Sequence, residues 1–140
     1  MAVILRICVP ANARAPAAAR AAVRGLSAVD DDIREVAGLL VSELVTNAVL
    51  HAGLRGDDEI EVVVHRNAAL RIEVADGGPG IDGRPRRAPV DGEGGRGLFI
   101  VDALAARWGV ERFGHARVWF ELDGRAAADG ERRPRPSPAP

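Results

Sequence analysis

The sequence predicts an α/β fold: a two-layer sandwich in which a mixed, mostly antiparallel β-sheet carries helices on one face. Three observations lead there. Short β-branched segments alternate apolar and polar residues, as strands with one buried face do. Two segments of helical character separate the first strand from the second, and another precedes the last two strands. The chain is 140 residues with 47% hydrophobic content, which is enough for one core and too short for two ordinary domains. One domain is therefore expected over residues 1–123, followed by an Arg/Pro-rich tail over 124–140.

Val3 to Val9 is apolar and β-branched and runs into Pro10, which suits an opening strand. Ala17 to Leu26 favours helix, weakened near its end by Gly25; Arg20 and Arg24 stand one turn apart and read as a solvated face. Asp30, Asp31 and Asp32 offer a cap and first-turn negative charge to a helix from Asp31 to Ala52, stopped by Gly53. Glu59 to His65 and Leu70 to Asp76 alternate as a hairpin around Asn67-Ala68-Ala69. Gly77 to Gly97 loses periodicity and is rich in Gly, Pro, Arg and Asp, so a long mobile loop is expected. Leu98, Val101, Leu104 and Ala105 form an apolar stripe at helical spacing, and Val110–Phe113 and Arg117–Leu122 read as strands around Gly114. From Gly124 to Pro140, where Arg and Pro alternate, apolar content is too low to fold and disorder is expected.

Composition excludes several classes. The 19 basic and 20 acidic residues nearly cancel, so no overall field draws the chain to nucleic acid or to an anionic membrane. Every basic residue is Arg, which removes Schiff-base chemistry and the Walker-type phosphate lysine. Cys8 stands alone and cannot form an internal disulfide. The opening run is broken by Arg6 and lacks a basic start, and no stretch approaches membrane-spanning length, so a cytoplasmic protein is expected.

The polar residues worth weighing are few. Within Val36–Leu50 the polar side chains are Ser42, Glu43, Thr46 and Asn47. Glu43 and Asn47 are one turn apart beside Val36 and Leu40, where water is expected to be scarce; they read either as a helix-stabilising pair or as a site. Asp76 continues the inward phase of Leu70, Ile72 and Val74 and aims a carboxylate at the core side. It could accept bonds from the amides of Gly77 and Gly78 in a tight turn, or from a ligand's exocyclic amine such as that of adenine. Gly77, Gly78 and Gly80 clear side chains from the backbone around Pro79. Gly92, Gly94, Gly95 and Gly97 lead to a helix beginning near Leu98, whose free amides suit phosphate oxygens; Arg96 among them is either a phosphate partner or a solvated loop residue.

Look-alikes fail. Gly92-x-Gly94-x-x-Gly97 matches a dinucleotide fingerprint but follows an Arg/Pro-rich loop rather than a strand. Histidines 51, 65 and 115 are dispersed, and no nucleophile elbow is present.

Taken in order, Glu43-Leu-Val-Thr-Asn47-Ala-Val-Leu-His51, Val74-Ala-Asp76-Gly-Gly78-Pro-Gly80 and Gly95-Arg96-Gly97-Leu98-Phe-Ile-Val101 resemble the N, G1 and G2 boxes of the gyrase, Hsp90, histidine kinase and MutL superfamily. The match spans Ile33 to Leu122, and the Ser42–Ala48 and Gly95–Leu98 wording is similar to the bacterial anti-sigma-factor serine/threonine kinases. The resemblance implies a Bergerat-type ATP-binding fold with ATP and Mg²⁺ as cofactors. It gives Glu43 the role of base on the substrate serine, a role an apolar setting would assist by raising a carboxylate's pKa. It assigns Asn47 to Mg²⁺, Asp76 to the adenine amine, Gly78 and Gly80 to the base's surroundings, and Gly95, Arg96, Gly97 and Leu98 to the phosphates, with Ile81 to Gly95 as lid. The last-strand threonine of the family is replaced near Arg117, with an expected effect on adenine contact. The implied partners are a sigma factor and an anti-anti-sigma protein carrying the acceptor serine, and the chain is compatible with a homodimer. The alternative from a different class is a catalytically inactive, ATP-dependent protein-binding module. A third is the catalytic half of a histidine kinase acting in trans, against which stand the short lid and the lack of a dimerising helical hairpin.

Overall fold

The computed structural model describes residues 2–51, 58–76, 95–112, 116–124 and 138–139. In chain order these form β1 (Ala2–Pro10), α1 (Ala15–Arg24), α2 (Asp31–His51), β2 (Glu59–Arg66), β3 (Ala69–Ala75), α3 (Gly95–Leu104), β4 (Arg107–Arg112), β5 (Ala116–Asp123) and β6 (Pro138–Ala139). The sheet order is β1-β2-β3-β5-β4-β6, antiparallel at every junction except the parallel β4/β6 pair. The expected mixed, mostly antiparallel sheet is the one that forms.

Register explains why one face is buried. Val62 lies opposite Val74, and Val64 opposite Ile72. Across the next junction Val74 meets Val118, Ile72 meets Phe120 and Leu70 meets Leu122. A side-chain period of two puts all of these on a single face, and slipping any strand by one residue would turn its apolar set to solvent. Onto that face α2 lays Ala37, Leu40, Val41, Leu44 and Val45, all buried and repeating at helical spacing. Helix α1 adds Ala15, Ala19 and Val23, while α3 adds Val101 and leads into Ala105; all belong to one core cluster. Full burial of side chains such as Leu40, Ile60, Ile72 and Phe120 contributes about 1.5–3 kcal/mol each.

Local chemistry sets the helix ends. Asn12 Oδ1 accepts the Arg14 N–H at 2.9 Å and shapes the turn into α1, which carries Pro16 in its first turn. For α2, the Asp30 carbonyl takes the Arg34 N–H at 2.9 Å, Asp31 and Asp32 sit in the first turn, and the Arg34 guanidinium pairs with Asp31. The hydroxyls inside the apolar run turn back on their own helix: Ser42 Oγ donates to the Leu39 carbonyl at 2.8 Å and Thr46 Oγ1 to the Ser42 carbonyl at 2.7 Å. They are satisfied locally, which leaves Glu43 and Asn47 as the run's outward-reaching polar groups.

Four expectations need correction. Helix α1 starts two residues earlier than expected and ends at Arg24, because Gly25 already closes it. Arg20 and Arg24 are more than a solvated face: Arg24 stays exposed, yet α1 crosses α2 at Gly38, where a Cβ would stand 3.2 Å from Arg24 Cγ and 3.4 Å from Arg20 Cγ. The two arginine stems lie across the glycine as apolar cover, and the Arg24 head group reaches Glu35 at 2.5 Å. Leu104 is 46% exposed, so the buried stripe of α3 continues to Ala105 and skips it. Finally, β4 begins at Arg107 rather than Val110, because Trp108 and Gly109 pair with Phe120 and Trp119 and extend the ladder. The Gly114 turn, the 77–94 loop and most of 124–140 lie outside the described residues.

Candidate functional site

Strand β3 delivers Asp76 to the helix-covered side. Its N–H donates to the Ala116 carbonyl at 3.2 Å, so the residue remains tied to β5 just past the end of the ladder. At 3% exposure, Asp76 is the buried charged side chain among the described residues. A carboxylate at that depth is a strong acceptor in a low-dielectric setting.

Helix α2 supplies the neighbouring polar pair. Asn47 follows Gly38 by nine residues, about 180° around an α-helix, and Glu43 falls on the same flank. Since Gly38 marks the side covered by α1, the pair sits on the opposite flank of α2, and α3 is the other helix packed against α2. Both side chains are half-buried rather than enclosed, which corrects the expectation of scarce water there. The physical reason is the helix period: Leu40, Leu44 and Val41 take the sheet-facing stripe, and the pair is left at its margin.

Helix α3 begins at Gly95, not Leu98, so Gly95, Arg96 and Gly97 form its first turn rather than a loop before it. The first amides of a helix lack intrahelical partners and keep their capacity for an anion. Leu98 is half-buried and packs against the core cluster. Gly78 and Gly80, with Gly77, Gly92 and Gly94 and the segment from Ile81 expected as a lid, lie outside the described residues.

The open face of the sheet is chemically different. Glu73, with its side chain 13% exposed, lies 2.6 Å from His65 Nε2, 3.5 Å from Arg117 and 3.9 Å from Arg71. Arg71 in turn stacks 4.1 Å from the centre of the Trp119 ring. A depression of about 160 Å³ bordered by Arg6, Glu61, His65, Glu73 and Arg117 opens on this side. Farther along the face Arg107 bonds Glu121 at 3.0 Å and Asp123 at 2.8 Å, and these bonds push its guanidinium pKa up. Cys8 faces outward from edge strand β1, where loss of hydration and the charges of Glu59 and Glu61 push its thiol pKa up.

Arg117 belongs to this open face, opposite Ala75 in register. The residues of β5 that share the side of Asp76 are Ala116, Val118, Phe120 and Leu122. Sequence reading also missed the bond from the Trp108 indole N–H to Asp102 Oδ1 at 2.9 Å, which ties α3 to β4. The alternation of Arg71 with Glu73, and of Arg117 with Trp119, signals a polar face; the cross-strand register that brings them together is not contained in either strand alone.

Fold and polar placement together define an α/β sandwich of the nucleotide-binding ATPase kind, with an acid at a strand end and an acid–amide pair on the adjoining helix. Residues 9–119 match the family described as histidine kinase-like ATPase domain, and the chain belongs to that family. An uncharacterised protein of Streptomyces coelicolor is 34% identical over 96 residues, covering 67% of this chain and 91% of that protein. Among solved structures, the RsbU and RsbW domains of a Mycobacterium tuberculosis protein share the fold with a TM-score of 0.65 at 21% identity, over 85% of this chain and 31% of that one. The blue-light activated histidine kinase EL346 of Erythrobacter litoralis aligns with a TM-score of 0.56 at 25% identity, over 85% of this chain and 43% of its own. The chain thus spans under half the length of either solved protein.

Membership in the family implies ATP binding, and the residues present fit it. A buried carboxylate suits an amine donor, and a single amide oxygen suits Mg²⁺, which keeps several waters and takes other ligands from phosphates. No group of three His, Cys, Asp or Glu side chains able to hold a metal ion exists among the described residues. No described helix is long and apolar enough to cross a membrane.

Proposed function

We propose that the protein is an ATP-dependent serine/threonine kinase that phosphorylates a small antagonist protein and sequesters a sigma factor in the cytoplasm. The observation that carries this reading is the buried Asp76 at the end of β3, on the same side of the sheet as α2 with its Glu43/Asn47 pair. Asp76 accepts the adenine amine; Gly78 and Gly80 leave room for the base, and Gly95, Arg96, Gly97 and Leu98 serve the phosphates. Asn47 is the protein's ligand to Mg²⁺, which supplies charge neutralisation on the phosphates. Glu43 takes the proton of the attacking serine hydroxyl. Its half-buried position suits that role, because a general base has to meet a substrate arriving from solvent. Positioning and charge compensation supply most of the acceleration in such a transfer.

The likeness to an RsbW anti-sigma kinase domain supports the serine-kinase reading, and the likeness to a histidine kinase keeps a phosphohistidine product as its competitor. The experiment combines the purified chain, Mg-ATP and the anti-anti-sigma protein, followed by phosphosite mass spectrometry. Phosphoserine is expected on the partner, with transfer reduced by about 10²- to 10⁴-fold in Glu43→Ala while nucleotide affinity is kept. Unchanged transfer by Glu43→Ala removes the base assignment. ATP-dependent partner binding without any phosphoryl transfer replaces the kinase with a non-catalytic binding module.

A further inference from the structure

The row of residues that crosses the open face at the end of β3 contains one short side chain. Glu61 of β2, Ala75 of β3 and Arg117 of β5 stand side by side in register, and the neighbouring row is Arg6, Val63, Glu73 and Trp119. Cross-strand neighbours lie about 5 Å apart, so a methyl group set between a carboxylate and a guanidinium leaves a gap beneath the longer side chains around it. Ala75 and Val63 floor that gap and are each 6% exposed, although neither belongs to the core cluster on the helix-covered side. The result is the depression of about 160 Å³, with an apolar floor and charged walls.

Size limits the occupant. An apolar cavity of about 150 Å³ accepts benzene, whereas sites for drug-sized ligands run to about 300–1,000 Å³. The space therefore holds one small organic group and excludes a nucleotide. Charge selects the sign of that group. Glu61 holds Arg6 at 3.1 Å, and Glu73 is attended by His65, Arg117 and Arg71 together, so the acids of the wall are supplied with cations. Arg117 is not supplied in return. A guanidinium carries five N–H donors, and among the described residues Arg117 makes a single bond, to Glu73 at 3.5 Å, the outer limit for such a bond. Its side chain is 39% exposed and keeps donors for a further acceptor; a carboxylate takes two of them in parallel.

We infer that the depression is a binding site for a small carboxylate, in which Arg117 pairs with the acid and Val63 and Ala75 receive an apolar body no larger than benzene. The acid belongs either to a free small molecule or to a side chain presented by another protein, and the chemistry recognised is the same. The site lies on the face turned away from Asp76, so the inference does not rest on the nucleotide reading.

Benzoate and the capped peptide acetyl-Ala-Glu-Ala-amide are the probes, titrated without nucleotide into the isotopically labelled full chain and followed by amide chemical shifts. Saturable shifts at Val63, Ala75 and Arg117 are expected, with a benzoate Kd of about 1 mM for so small a ligand. Tighter binding of the peptide assigns the site to protein side chains, and tighter binding of benzoate assigns it to free acids. Arg117→Gln is expected to weaken the bound probe by about tenfold or more, Ala75→Leu to remove binding by filling the gap, and Arg107→Gln, on the same face beyond the depression, to change nothing. Benzamide, which lacks the charge, and phosphate, which lacks the apolar body, are expected to bind at least about tenfold more weakly than benzoate. Absence of saturable shifts at the three residues with both probes overturns the site. Equal weakening by Arg117→Gln and Arg107→Gln overturns it too, as would phosphate binding as tightly as benzoate. Arg117→Gln, at a part-exposed position, tests the site independently of how Ala75→Leu folds.

Discussion

The two faces of the central sheet bury acids in opposite ways. On the open face, Glu73 is withdrawn from water by its own neighbours, with His65, Arg71 and Arg117 gathered around one carboxylate. On the helix-covered face, Asp76 follows Leu70, Ile72 and Val74 into the apolar side and is buried more deeply still. The two acids stand three positions apart, Glu73 in β3 and Asp76 just past its end, and the strand period alone sends them to different environments. An acid gathered among two arginines and a histidine is partnered by its own surface; the acid at the end of the apolar ladder is the one that the proposed function gives to a ligand's donor.

The contrast is most sharply broken at Trp119 and Phe120, adjacent residues on opposite faces. Phe120→Ala is expected to cost about 3–5 kcal/mol, since Phe120 is fully buried over the core. Trp119→Ala is expected to cost about 1 kcal/mol, mainly the stacking with Arg71. Urea unfolding of both variants measures the difference, and equal costs would erase the distinction between the faces.

A functional version uses the two acids. Asp76→Asn keeps shape and removes charge, and is expected to weaken ATP binding by about 10- to 100-fold in calorimetry, as for loss of a hydrogen bond to a charged group. Glu73→Gln is expected to leave ATP affinity unchanged. If Glu73→Gln weakened binding as much as Asp76→Asn, the nucleotide would belong on the open face.

The smallest expected effect concerns α1 and α2. Bonding to Arg24 holds the Glu35 carboxyl below its ordinary pKa. A group with a lowered folded pKa contributes stability above its unfolded pKa and loses it as pH falls through the folded value. Glu35→Gln should therefore unfold slightly more easily than the parent at neutral pH, and the two urea midpoints should converge in acid. Both partners are well exposed, so the effect is small.

Much of this architecture was legible in the sequence. The hairpin of β2 and β3 was readable because alternation and a short polar turn are local signals, and α2 was readable from its acidic start and apolar run. The start of β4 was not, because Gly109 interrupts a strand reading and its place opposite Trp119 is fixed only by pairing with β5. The role of Arg20 and Arg24 was hidden for the same reason: their stems are needed by Gly38 of another helix. At the site, the inward aim of Asp76 followed from counting by twos, while the exposure of Glu43 and Asn47 depended on how α2 rolls against the sheet. The face of Arg117 was not legible, because it is decided by its register with Ala75.

Cys8 stands on the open face of edge strand β1, opposite Glu61. The residue is exposed, yet partial loss of hydration, with two glutamates on the next strand, favours the protonated form. Nucleophilicity belongs to the thiolate, so accessibility here does not bring reactivity. Alkylating reagents and peroxide should meet a sluggish target near neutrality, and the solitary thiol can serve as a quiet attachment point that responds once the medium is made alkaline.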